Sequence, residues 1–76
     1  MNREARIEAV IKFVRLSGGR TTEWAAINAA MGLNRTARET QLGRTAVEGA
    51  IKSGAVRRIR DWNISGTFET EFLVMG

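Results

Sequence analysis

Ile7, Val10, Ile11 and Val14 recur at i, i+3, i+4 and i+7, while Glu8, Lys12 and Arg15 take the opposite side. This spacing predicts an amphipathic helix from about Arg3 to Ser17, capped by Asn2 and stopped by Gly18-Gly19. Phe13 and Leu16 widen the apolar stripe, so the helix is expected to be gripped on more than one side. Arg20-Thr21-Thr22 is short and β-prone, with room for one small strand. Thr22 or Thr21 then caps a second helix, Glu23 to about Met31, with Glu23 at its positive end. Trp24, Ile27 and Met31 share a face of it, which places Trp24 in the core. Gly32 ends the helix and Leu33 follows as an apolar anchor.

The next stretch contains two capping boxes of the S/T-x-x-E kind, Thr36 to Glu39 and Thr45 to Glu48. Two readings follow: a short helix 37–42 turning at Gly43 into a second helix 46–53, or one helix over about 35–53, kinked near Gly43. The continuous helix would turn Thr36, Thr40, Gly43, Val47, Ala50 and Ile51 inward, and Arg38, Gln41, Thr45, Glu48 and Lys52 outward. Gly54 ends it. Ala55 to Trp62 then reads as a strand, residues 63–66 as a turn, and Thr67 to Met75 as a second strand. That turn sets Trp62 opposite Thr67, Arg60 opposite Glu69 and Arg58 opposite Glu71, and such charge pairs add about 0.2–1 kcal/mol each. The fold expected is α+β and mainly α: three or four helices, then a C-terminal β-hairpin, in a single domain spanning 1–76.

Composition narrows the chemistry. The 76 residues include neither Cys nor His, so no disulfide can form and only carboxylates could bind a metal. The three serines each adjoin a glycine at a helix end or turn, and no glycine-rich stretch opens a helix after a strand. Glu69 and Glu71 lie on one strand face, but they are opposed by Arg58 and Arg60. An enzyme is therefore not expected, and no cofactor is called for. No apolar run approaches the ~20 residues of a membrane span, and the N-terminus lacks the apolar stretch of a signal peptide, so a cytoplasmic protein with no membrane partner is expected. Of twelve basic residues ten are Arg, and the net charge is +4. The charge is segregated: +2 over residues 1–34, +5 over 35–60 and −3 over 61–76. A polyanion would be drawn to the middle third.

Three stretches together resemble the winged helix-turn-helix family: Phe13 to Thr22, Glu23 to Leu33, and Ala50-Ile-Lys-Ser-Gly-Ala-Val-Arg-Arg58. The last is similar to the family's passage from third helix to wing. The resemblance implies a third helix that enters a DNA groove and a wing at 62–67 that reaches the minor groove or phosphates. Arg35, Arg38 and Arg44 are then the candidates for base or phosphate contact, with Gln41 and Thr45 beside them as neutral readers. Arg57, Arg58 and Arg60 would position the protein on the backbone. The partner expected is double-stranded DNA, bound by a transcriptional regulator or a mobile-element accessory factor, with a homodimer open to it. The alternative is a protein-interaction module without DNA contact, which pairing of the hairpin's Arg with its Glu would favour. Stacking on single-stranded nucleic acid would need exposed aromatics, and among the five only Trp62 is not patterned as core.

Overall fold

A computed structural model describes residues 1–76. The chain forms α1 (Arg3–Leu16), β1 (Arg20–Thr21), α2 (Glu23–Met31), α3 (Ala37–Lys52), β2 (Val56–Trp62) and β3 (Glu69–Met75). Three helices thus pack beside a three-stranded antiparallel sheet of order β1-β3-β2, the α+β class expected. No helix is long and apolar enough to cross a membrane.

The helix boundaries follow local chemistry. Asn2 Oδ1 accepts from the Ala5 amide at 2.8 Å, and Thr22 Oγ1 accepts from the Ala25 amide at 3.1 Å. α1 stops because Gly18 and Gly19 take φ of 78° and 86°, which brings the Gly19 amide onto the Val14 carbonyl at 3.0 Å. Thr36 and Glu39 close a full capping box at the start of α3. The second candidate box stays unused: Thr45 lies inside the helix, and its hydroxyl donates to the Gln41 carbonyl at 3.0 Å. α3 is accordingly one continuous helix, without a break at Gly43.

Gly43 serves close approach instead. A Cβ added there would lie 2.8 Å from Ile27 Cγ2 and 3.0 Å from Met31 Cγ, so α2 and α3 meet where a side chain is missing. The core has the same character. Val10, Val14, Ala26, Ile27, Ala30, Ala46, Val47, Ala50, Val56 and Leu73 form it, four of the ten being alanine. Helices packed this tightly leave no space for an indole. Trp24 therefore lies at the edge of the α2–α3 contact and is half exposed, contrary to its expected place in the core. Leu16 and Leu33, read as stripe and anchor, are also on the surface.

The hairpin differs from expectation by two residues in register. Trp62 pairs with Glu69, Arg60 with Glu71 and Arg58 with Leu73, leaving a six-residue loop at 63–68. Asn63 explains the longer loop. Its Oδ1 accepts from the Thr67 amide at 2.8 Å and its Nδ2 donates to Thr67 Oγ1 at 3.0 Å, a side-chain brace a four-residue turn could not hold. Alternation then sends Val56, Arg58 and Leu73 toward the helices, and Arg57, Ile59, Phe72 and Val74 to the outer face.

Gly43→Ala should destabilise the protein. Ile27 is buried and β-branched, so it cannot yield, and overpacking of about 1–3 kcal/mol exceeds the ~1 kcal/mol of helix propensity gained. At Gly49 the obstacle is half-buried Ile7, whose Cδ1 and Cγ1 would lie 2.6 Å and 3.0 Å from the added Cβ and whose partly exposed side chain has room to shift outward. Gly49→Ala should therefore be close to neutral. Thermal unfolding followed by circular dichroism checks the contrast; Gly43→Ala should melt lower by roughly 5 °C or more.

Candidate nucleic-acid interface

α3 lies with one side on the core and one in solvent. At 100° per residue, Arg38, Gln41, Thr45 and Lys52 fall within about 60° of each other around the axis, opposite buried Gly43, Ala46, Val47 and Ala50. Arg44 flanks this stripe and is also exposed. From Arg38 to Thr45 the stripe runs roughly 10 Å, within the ~12 Å width of a B-DNA major groove.

The candidate arginines divide sharply by what they touch. Six ion pairs form, involving only Arg20, Arg58 and Arg60 among the cations. Arg58 is the most heavily used, with Glu48 at 2.8 Å, Glu23 at 3.0 Å and Glu71 at 3.2 Å. It ties α2, α3 and β3 together, and the Glu48 hydrogen bond above all holds its guanidinium still more firmly charged. Arg60 lies 3.6 Å from Glu71 and 3.8 Å from Glu69. The charge pairing expected across the hairpin thus forms, although diagonally for Arg58–Glu71 and Arg60–Glu69. Partly exposed pairs of this kind contribute a few tenths to about 1 kcal/mol each.

Arg35 is taken up inside the fold. Its Nη1 donates to Asn28 Oδ1 and to the Gly32 carbonyl, both at 2.6 Å, and its Nε donates to Thr40 Oγ1 at 2.9 Å. The guanidinium lies 4.5 Å from the Trp24 ring centroid. It therefore clamps the end of α2, the connecting loop and the first turns of α3. All three acceptors are neutral. Arg57 faces outward on the sheet, opposite Val74 and away from the helices. Arg38 and Arg44 remain exposed with no carboxylate partner, beside Gln41 and Thr45. Of the eight candidate residues, the structure brings four onto one helical surface. Lys52 joins their stripe two heptads after Arg38, a spacing visible in the sequence although Lys52 was not among the candidates.

The hairpin end is different in kind. Between Asp61 and Thr70 the only charged residues are Asp61 and Glu69. Asp61 is engaged: the Trp62 amide, first, and then Arg20 hold its carboxyl below the ordinary aspartate range. The interactions that lower it favour the fold at neutral pH and are lost as pH falls through that lowered value. Trp62 and Phe68 are 55% and 57% exposed, and Ile64 is fully exposed. Phe72 is half-buried on the outer sheet face, where the Arg20 guanidinium covers its ring at 4.0 Å. Three large apolar residues about an uncharged turn were the sequence signal for this tip, since turns are ordinarily polar.

Fold and surface together define a small α+β domain whose third helix shows solvent a basic, polar stripe. Comparison with protein-family models, with curated proteins and with solved structures finds no match.

Arg35→Ala should lower stability by about 1.5–3 kcal/mol, the scale of lost hydrogen bonds to a charged donor. Arg35→Lys should not restore it, because an ammonium cannot reproduce the planar fork over Trp24. Urea denaturation of the two variants is the check; a lysine variant as stable as the parent would contradict the clamp.

Proposed function

We infer that the protein binds duplex DNA through the exposed stripe of α3, as a small regulator or accessory factor of the winged helix-turn-helix kind. One observation carries the reading: Arg38 and Arg44 stand free of carboxylates on the outer side of a helix whose inner side is buried, while Arg20, Arg58 and Arg60 are paired. A guanidinium held by the protein's own glutamates gains little from a phosphate. A free one releases counterions when it binds and can fork onto guanine. The element order of three helices with β1 between the first two, followed by a hairpin, supports the same reading. Gln41 and Thr45 lie between the two arginines and supply neutral hydrogen-bonding groups for base edges. Arg35 and Arg58 have a supporting role in it, since they fix the pose of α3 against α2 and the sheet.

The alternative, a protein-interaction module, draws support from the uncharged apolar hairpin tip. A partner recovered stoichiometrically and unaffected by nuclease would favour it.

Affinity for DNA should fall steeply with salt, log K losing about 0.9 per phosphate neutralised for each decade of salt. Arg38→Ala and Arg44→Ala should each weaken binding and reduce the salt slope by about one. Lys12→Ala, on the far side of α1, should change neither. Gel-shift titrations at several salt concentrations test this; no retardation at low salt below about 10 µM protein would sink the reading.

A further inference from the structure

We propose that the hairpin tip is a self-association surface, at which Ile64 and Phe68 of one protomer pack against the tip and outer sheet face of a second copy about a two-fold axis. The proposal goes beyond the DNA reading and stands without it.

The tip is a built feature. Besides the side-chain brace from Asn63 to Thr67, the Asn63 amide donates to the Phe68 carbonyl at 2.8 Å and the Gly66 amide to the Asn63 carbonyl at 2.9 Å. A loop tied to itself in this way keeps Trp62, Ile64 and Phe68 outside at little further entropic cost on binding. An aromatic side chain can bury about 150–250 Å². With half of two aromatics and the whole of Ile64 exposed, the patch is on the order of a few hundred Å², the size at which exposed apolar surface on a monomer is often functional.

Charge selects the occupant. The segment 61–70 carries no cation, so it offers no ion pair to a phosphodiester or an anionic lipid surface. Two copies of a chain of charge +4 repel each other over most of their surfaces. At the tip they do not: Asp61 is neutralised by Arg20 at 3.1 Å, Glu69 lies near Arg60, and residues 62–68 are uncharged. Geometry agrees. Beside the exposed tip runs a groove whose lining combines apolar Trp62, Ile64 and Phe72 with Thr21, Thr22 and the Arg20–Asp61 ion pair. A knob next to its own groove is self-complementary under a two-fold rotation, which sets each knob in the other's groove. The patch is smaller than the ~800 Å² per partner of a stable interface, so the dimer should be weak and rapidly reversible.

Sedimentation equilibrium of the full chain without nucleic acid, from about 10 µM to about 1 mM, should show a monomer–dimer equilibrium in that range. Ile64→Asp and Phe68→Asp should each raise the dissociation constant at least about tenfold, because each would bury a charge at the interface. Both positions are exposed, so circular dichroism should show each variant folded. Leu33→Asp, at an exposed leucine away from the hairpin, should leave the equilibrium unchanged. A chain that stays monomeric to about 1 mM, or a dimer that survives both tip substitutions, overturns the proposal. Because no DNA is present, such a failure leaves the reading of α3 untouched.

Discussion

The molecule rests on close helix approach through missing side chains. A chain without disulfides, and with a core dominated by alanine and valine, has few large groups to bury. Its helices must therefore come near enough for small residues to make many contacts, because dispersion falls steeply once a gap opens. Gly43 makes this possible for α3 against α2, and Gly49 leaves room on the α1 side for the Ile7 side chain. The cost is glycine inside a helix, about 1 kcal/mol relative to alanine at each site. The gain is a third helix seated on two others along its inner face, its rotation fixed and one side left wholly to solvent.

That fixed rotation decides what each arginine can do. Those at the seams became structural: Arg35 at the α2–α3 connection, Arg58 where two helices meet the sheet, and Arg20 across the outer sheet face. Each is bound by acceptors from other parts of the fold: Arg20 and Arg58 are neutralised by carboxylates, whereas Arg35 keeps its charge among neutral acceptors. Arg38 and Arg44 lie on the outer side of α3 and form no ion pair, Glu48, one turn beyond Arg44, being held by Arg58. The +5 charge of the middle third thus overstates the free charge of the surface. A count of cations measures a potential interface only after the internal pairs are subtracted. Here the subtraction leaves a narrow stripe on α3, with Arg57 apart from it on the outer sheet face, instead of one broad ridge.

Caps and periodicity carry local information, and these were legible. Asn2, Thr22, the Thr36–Glu39 box and the glycine stops placed the ends of α1 and α2 and the outer ends of α3 within two residues. The second box at Thr45–Glu48 left open a break in α3 that does not occur, and the outward set on α3 followed from 3.6-residue spacing. Three features were not legible because they depend on contacts between distant residues. Trp24 and Leu33 carry an apolar signal, but the small-residue seam decides that they do not fit inside. The hairpin register turned on the Asn63 brace, which competes with a tight turn of nearly equal sequence merit. Arg35 resembles any other cation in a basic run, and its neutral acceptors are contributed by α2, the connecting loop and α3. Winged helix-turn-helix likeness is a matter of pattern along the chain, and it says nothing about which arginines the fold will consume.

The two surfaces left over are opposite in character. α3 offers charge without apolar area, which suits a highly hydrated polyanion and gives affinity that salt can abolish. The hairpin tip offers apolar area without free charge, which suits a protein surface and is largely indifferent to salt. A single domain of this size binding DNA through one helix covers a short stretch of duplex, and its affinity is limited by the few phosphates it can neutralise. Joining two such domains raises the effective concentration of the second helix near the first site without adding a contact to either. A weak association is sufficient for that purpose, because the duplex supplies the remaining free energy. Under the two proposals together, an apolar tip too small to sustain a tight dimer alone is thus sufficient for a chain with a narrow basic stripe.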